Sequence, residues 1–154
     1  MKETKTMQVS VNQEDYMIDA YQSFGFELLS TQEVKTKDSH LERHGDTIYN
    51  VTETEHYIKL TFTRDDNMPF YSELTKQQNE FENAQHAIMK KPKLNLLLAI
   101  LGLLLYVAPG VLYIVWYIVK SKKVKTNNEE CFNRMETAIS QGKEIIRKIE
   151  SKNS

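Results

Sequence analysis

LNLLLAILGLLLYVAPGVLYIVWYIV, from Leu94 to Val119, runs for 26 residues without a charge. Lys90, Lys91 and Lys93 stand before it, and Lys120, Lys122, Lys123 and Lys125 follow it. An apolar stretch of this length reads as membrane-embedded. A soluble domain of this size cannot surround such a segment on every face. The rest of the chain is polar enough to bring the mean hydropathy down to −0.53.

Two geometries fit the run. As one tilted helix it would be about 39 Å long against a hydrocarbon core of about 30 Å. Pro109 and Gly110 would then mark a kink, with Tyr113, Trp116 and Tyr117 as an interfacial belt. As a hairpin, Pro109-Gly110 would be the turn, with a longer descending arm and a shorter returning one. The lysines on both flanks favour the same side for both ends by the positive-inside rule. A backbone turn in lipid, however, leaves polar groups without partners. In either geometry Lys90, Lys91, Lys93, Trp116, Tyr117, Lys120, Lys122 and Lys123 are the expected interface anchors.

Upstream, residues 1–66 read as a small α+β head. Met7–Val11 alternates weakly, as a short strand does. Asn12 is placed as a helix N-cap, with acids in the first turn. Tyr16, Ala20, Tyr21 and Phe24 recur at helical spacing, and Gly25 sits where a C′ glycine belongs. Phe26–Val34 reads as a strand, and Lys35–Asp46 as a polar connection ending in a His44-Gly45-Asp46 turn. Thr47–Thr52 and His56–Thr63 follow as two strands. In the second, Ile58, Leu60 and Phe62 share one face, and Tyr57, Lys59, Thr61 and Thr63 the other. One apolar face predicts an antiparallel sheet covered on one side by the helix.

Gly25-Phe26-Glu27-Leu28-Leu29-Ser30 and Tyr57-Ile58-Lys59-Leu60-Thr61-Phe62-Thr63-Arg64 resemble the signatures of small bacterial domains of unknown function. In those domains a helix ends in glycine, a GWELVS strand follows, and an aromatic-rich strand closes on a basic pair. The resemblance covers residues 7–64. Phe26 replaces the family's tryptophan, Thr63 precedes the arginine, and the stretch between the strands is long. The resemblance implies a fold and no activity.

Residues 67–93 read as a helical stalk beginning near Pro69, which suits a first helical turn. Phe70 and Tyr71 open it as residues that could dock the head. Leu74, Gln77, Phe81, Ala84 and Ile88 are spaced 3, 4, 3, 4, and Pro92 interrupts the helix. Residues 120–154 combine a basic juxtamembrane stretch with a C-terminal amphipathic helix. There Phe132, Met135, Ile139, Gly142, Ile146 and Ile149 form a heptad seam. Gly142 lowers helix propensity by roughly 1 kcal/mol but permits close approach. So short a seam needs a partner helix, and residues 72–91 and 128–151 are expected to pair with each other, another copy or another protein.

Charge is unevenly distributed. Residues 1–71 hold 7 Lys/Arg against 13 Asp/Glu, a balance of −6, and residues 120–154 hold 9 against 5, a balance of +4. The acidic head disfavours nucleic acid, and the basic tail lies at a membrane edge, where anionic head groups are. Residues 1–16 lack the apolar core of a signal peptide, and a lone Cys131 excludes an internal disulfide. His40 and His44 flank Glu42, but in a polar segment they read as a solvated loop rather than a metal pair. Asp65-Asp66 reads as an acidic turn, Cys131 as a packed or idle thiol, and His56 and His86 as surface residues. No phosphate loop, nucleophile elbow or zinc-finger spacing occurs.

These features predict a membrane-anchored, non-enzymatic interaction or assembly protein, bacterial in origin, without catalytic residues, metal or cofactor. Its head would face the cytoplasm, and its partners would be the lipid bilayer and a protein. The alternative is a membrane-bound sensor whose head binds a small ligand through Tyr57, Lys59 and Thr61.

Overall fold

The computed structural model describes residues 1–45, 47–105 and 107–153. It is α+β, with a three-stranded antiparallel sheet, helices and a long C-terminal helix. In chain order the elements are β1 (Lys2–Val9), a 3-10 turn (Val11–Gln13), α1 (Glu14–Ser23), β2 (Glu27–His44), β3 (Thr47–Asp65), α2 (Tyr71–His86), α3 (Leu96–Leu105) and α4 (Val107–Asn153). Residues 1–78 with the chain from Ile139 onward form one compact unit, and Asn79–Ala138 forms a second. This division differs from the linear head, stalk, apolar segment and tail, because the end of α4 belongs to the first unit.

In the first unit the strand order is β1-β3-β2. Ile58, Leu60 and Phe62 are buried on one face of β3, as the alternation requires. Met17, Ala20 and Tyr21 of α1, with Phe24 just beyond its end, supply buried groups to the same core. Tyr21 stacks on Phe62 with centroids 5.1 Å apart and meets Phe26 edge-on at 5.6 Å.

α1 ends in a Schellman motif. Gly25 N–H donates to the Gln22 carbonyl at 3.0 Å and Phe26 N–H to the Tyr21 carbonyl at 3.2 Å. Gly25 has φ +82°, a conformation glycine adopts freely. Gly25→Ala is expected to destabilise the fold by about 1–2 kcal/mol, read as a lower urea midpoint. An unchanged midpoint would mean that the turn is not needed.

Several elements depart from the pattern-based boundaries. Asn12 does not cap α1: it lies in the 3-10 turn, and Gln13 occupies the N-cap without a side-chain cap bond. Tyr16 is exposed, and Met17 takes its place in the core. β2 continues through Lys35–His44, and the two strands expected after it form the single strand β3, so the polar connection is one arm of a long ribbon. A ribbon residue satisfies its backbone across the ladder without any apolar face, which leaves no periodic signal in the sequence. Asp46 lies outside the described residues, and Gly45 has φ +65°. A bulge between Leu28 and Ser30 leaves Leu29 outside the pairing, which explains why Phe26–Ser30 fails to alternate.

α2 begins at Tyr71 rather than at Pro69 and ends at His86 rather than near Lys91. In the second unit Phe81, Ala84, Val124, Cys131, Met135 and Ala138 are buried. Phe132 is half-exposed, so the buried stripe of α4 runs through Cys131, its neighbour, rather than through Phe132. The apolar run is divided: α3 ends at Leu105 and α4 starts at Val107. Among the described residues no helix is long and apolar enough to cross a membrane.

Candidate functional site

α3 and the start of α4 carry the second unit's unusual surface. Asn95 caps α3: its side-chain oxygen accepts from Leu98 N–H at 3.3 Å, and its carbonyl accepts from Ala99 N–H at 3.1 Å. Its own N–H donates to the Tyr113 hydroxyl at 3.1 Å, which ties the start of α3 to α4. Further from the break, Met89 N–H donates to Asn128 Oδ1 at 2.8 Å and Asn128 Nδ2 to the Met89 carbonyl at 2.9 Å. Asn127 Nδ2 donates to the Ala87 carbonyl at 3.0 Å, and Arg134 pairs with Glu80 at 2.8 Å. Each contact joins a residue before the apolar run, or at its start, to one inside or after it, so the chain doubles back within this unit. Pro109 and Gly110 occupy the first turn of α4, where a missing N–H costs no hydrogen bond.

The doubled-back segment exposes large apolar side chains. Leu97 is 73% exposed and Leu112 69%, and Leu96, Leu98, Ile100, Val111, Val115, Trp116, Ile118 and Val119 are also exposed. Of Leu96–Ile100 only Ala99 is buried. Apolar exposure concentrated in this way is uncommon on a surface that faces water alone. Tyr113 stacks on Trp116 at 6.0 Å, and Lys120 Nζ lies 4.7 Å from the Trp116 ring centroid. Lys90, Lys91, Lys93, Lys120, Lys122 and Lys123 are all exposed, and Tyr117 is half-buried.

The seam residues are placed unevenly. Met135 and Ile139 are buried, and Ile146 and Ile149 are half-buried. Cys131 is buried, with Asn127 Nδ2 3.6 Å from its sulfur. The side chains of His40, Glu42 and His44 lie outside the described residues, and among the described ones no group of three His, Cys, Asp or Glu comes together. His56 Nε2 meets Glu33 Oε1 at 2.6 Å. A hydrogen bond from Lys35, and then the one from His56, hold the Glu33 carboxyl below its usual range.

In the first unit sequence reasoning missed Arg64. It continues the Ile58–Leu60–Phe62 alternation and is buried. Its Nη2 lies 2.7 Å from Glu3 Oε2 and 3.1 Å from Gln78 Oε1, and its Nη1 donates to the Phe24 carbonyl at 3.0 Å. Phe26 and Tyr71 sandwich the guanidinium at 4.2 and 4.6 Å. The Tyr71 hydroxyl donates to Glu3 at 3.1 Å, so Tyr71 does serve as a docking residue. The period-two face was the available signal, extended one step past the last apolar residue.

Cavities among the described residues of this unit include two of similar size. One, of about 280 Å³, is lined by Asp19, Gln22, Ser23, Lys143, Ile146, Arg147 and Glu150, and a 2.7 Å Lys143–Asp19 ion pair lies within it. The other, of about 310 Å³, lies beside Gly25, Thr63 and Arg64. Neither includes Tyr57, Lys59 or Thr61, which sit on the opposite face of β3 from the core. Comparison with protein-family models, curated proteins and solved structures finds no match.

Proposed function

We propose that this chain is a membrane-anchored, non-enzymatic interaction or assembly protein, with α3 and the start of α4 as its anchor. The observation that carries the reading is the cluster of exposed leucines, valines and Trp116 bounded by lysines on both flanks. Water solvates such a surface poorly, whereas acyl chains solvate it well. The α+β head is held at the cytoplasmic surface and presents its sheet to a partner. Met135 and Ile139 are already covered by the chain's own packing, so a partner helix has the half-exposed Phe132 to meet. The resemblance of residues 7–64 to small bacterial domains supports a bacterial source.

Leu97→Glu combined with Leu112→Glu tests the anchor, since both side chains are exposed and neither supports the core. A carboxylate at bilayer depth costs about 2.5–3.5 kcal/mol on insertion scales, so each change shifts the partition roughly a hundredfold. The unaltered chain is expected in the carbonate-washed membrane fraction and the double variant in the supernatant. Retention of the variant in the pellet would sink the reading.

A further inference from the structure

We infer that the doubled-back segment enters one leaflet of an anionic bilayer without crossing it, its lysines forming a collar on phospholipid phosphates. The inference rests on the membrane-anchor reading and adds the depth, the side and the lipid class. Depth follows from the elements. α3, at 10 residues, rises about 15 Å, and the apolar start of α4, residues 107–119, about 20 Å. Half of a hydrocarbon core is about 15 Å. Neither arm crosses, and both together line one leaflet.

The side follows from the hydrogen bonds. Asn95–Tyr113 and Met89–Asn128 define two levels of the hairpin. Between them one arm carries Lys90, Lys91 and Lys93, and the other Lys120, Lys122, Lys123 and Lys125. Lysines far apart in sequence therefore lie at one height. From Asn83 to Asn128 the chain has no aspartate or glutamate, so the collar is cationic throughout; Lys125 reaches an acid beyond it, Glu129, at 3.7 Å.

Backbone chemistry at the two ends of the insertion agrees. The Asn95 N–H, which would be orphaned at the start of α3, is satisfied by the Tyr113 hydroxyl. At the start of α4, Pro109 removes one of the N–H donors that the first turn of any helix leaves without an intrahelical partner. Both features lower the cost of placing helix ends away from water.

The test uses the full chain in flotation with phosphatidylcholine vesicles, and with vesicles in which about a third of the lipid is phosphatidylglycerol. Binding is expected to be far stronger to the anionic vesicles and to fall with added salt. Changing Lys90, Lys91, Lys93, Lys120, Lys122 and Lys123 to Gln is expected to reduce it by about ten-thousandfold, at roughly five-fold per lysine. Equal binding to both vesicles would overturn the lipid-charge inference and leave the anchor reading standing. Binding to neither, with a defined oligomer in solution, would overturn both and assign the apolar face to a second copy.

For the side, Asn12→Cys and Ser140→Cys are each placed on a Cys131→Ala background, and protein added from outside the vesicles is treated with an impermeant maleimide. Labelling of both positions supports insertion from one side. Protection of either means that the segment crosses, which overturns the one-leaflet geometry.

Discussion

Arg64→Ala is expected to lower the stability of the first unit by about 3–5 kcal/mol, the cost of breaking a buried ion pair from one side. The guanidinium side chain is fully covered, and it joins Glu3 of β1, the Phe24 carbonyl at the end of α1 and Gln78 of α2. Removing it leaves four acceptors, Thr75 Oγ1 included, short of a donor and empties the space beside the Phe26 and Tyr71 rings. Glu3 is about one-third exposed at 34%, so water recovers part of its loss. The lower part of the range is therefore expected. Arg64→Lys keeps the charge but not the planar fork, and it is expected to recover less than half of the loss. Urea unfolding followed by circular dichroism gives both values. A loss below about 1 kcal/mol for alanine would mean that the network forms without adding stability.

Gly142→Ala is the more diagnostic substitution because two effects oppose each other. In a solvated helix the change would stabilise by roughly 1 kcal/mol through propensity. Here a Cβ on Gly142 would sit 2.5 Å from the Ser23 carbonyl oxygen and 3.1 Å from Phe24 Cδ1. The first of these is backbone and cannot rotate away. α1 and α4 must therefore separate, and a net loss of about 1–3 kcal/mol is expected, with more for valine. Ser140→Ala, on an exposed position of the same helix, serves as the control and is expected to be near neutral. A rise in midpoint for Gly142→Ala would show that the two helices do not cross this closely.

The seam reading pointed to Gly142 because a glycine at a heptad position has a packing reason when it has any. Phe132 failed on the same seam because a 3-4 spacing fixes which residues share a face, not which edge of the stripe is covered. Moving the stripe by one residue buries Cys131 and exposes Phe132. The core face of β3 was legible as far as Phe62 because apolar and polar residues alternate there. Arg64 was not, since a charge at the next position reads as the strand's exit until Glu3, distant in sequence, is brought beside it by β1 pairing. The outer half of the ribbon left no trace, because strands without a buried face carry no hydrophobic period. In the apolar run the composition was plain but the break was not. A proline in a first helical turn reads in sequence the same as one at a kink or a turn.

The first unit is built from two stretches of chain separated by the whole of the second. A ribosome delivers residues 1–78 first and the apolar segment next, at about 5–20 residues per second. Only after that does the part of α4 that covers Ser23 and Phe24 emerge. During that interval the sheet and α1 wait with one side uncovered while the hairpin is already available to whatever receives it. Order of synthesis therefore places exposure of the apolar hairpin ahead of closure of the first unit.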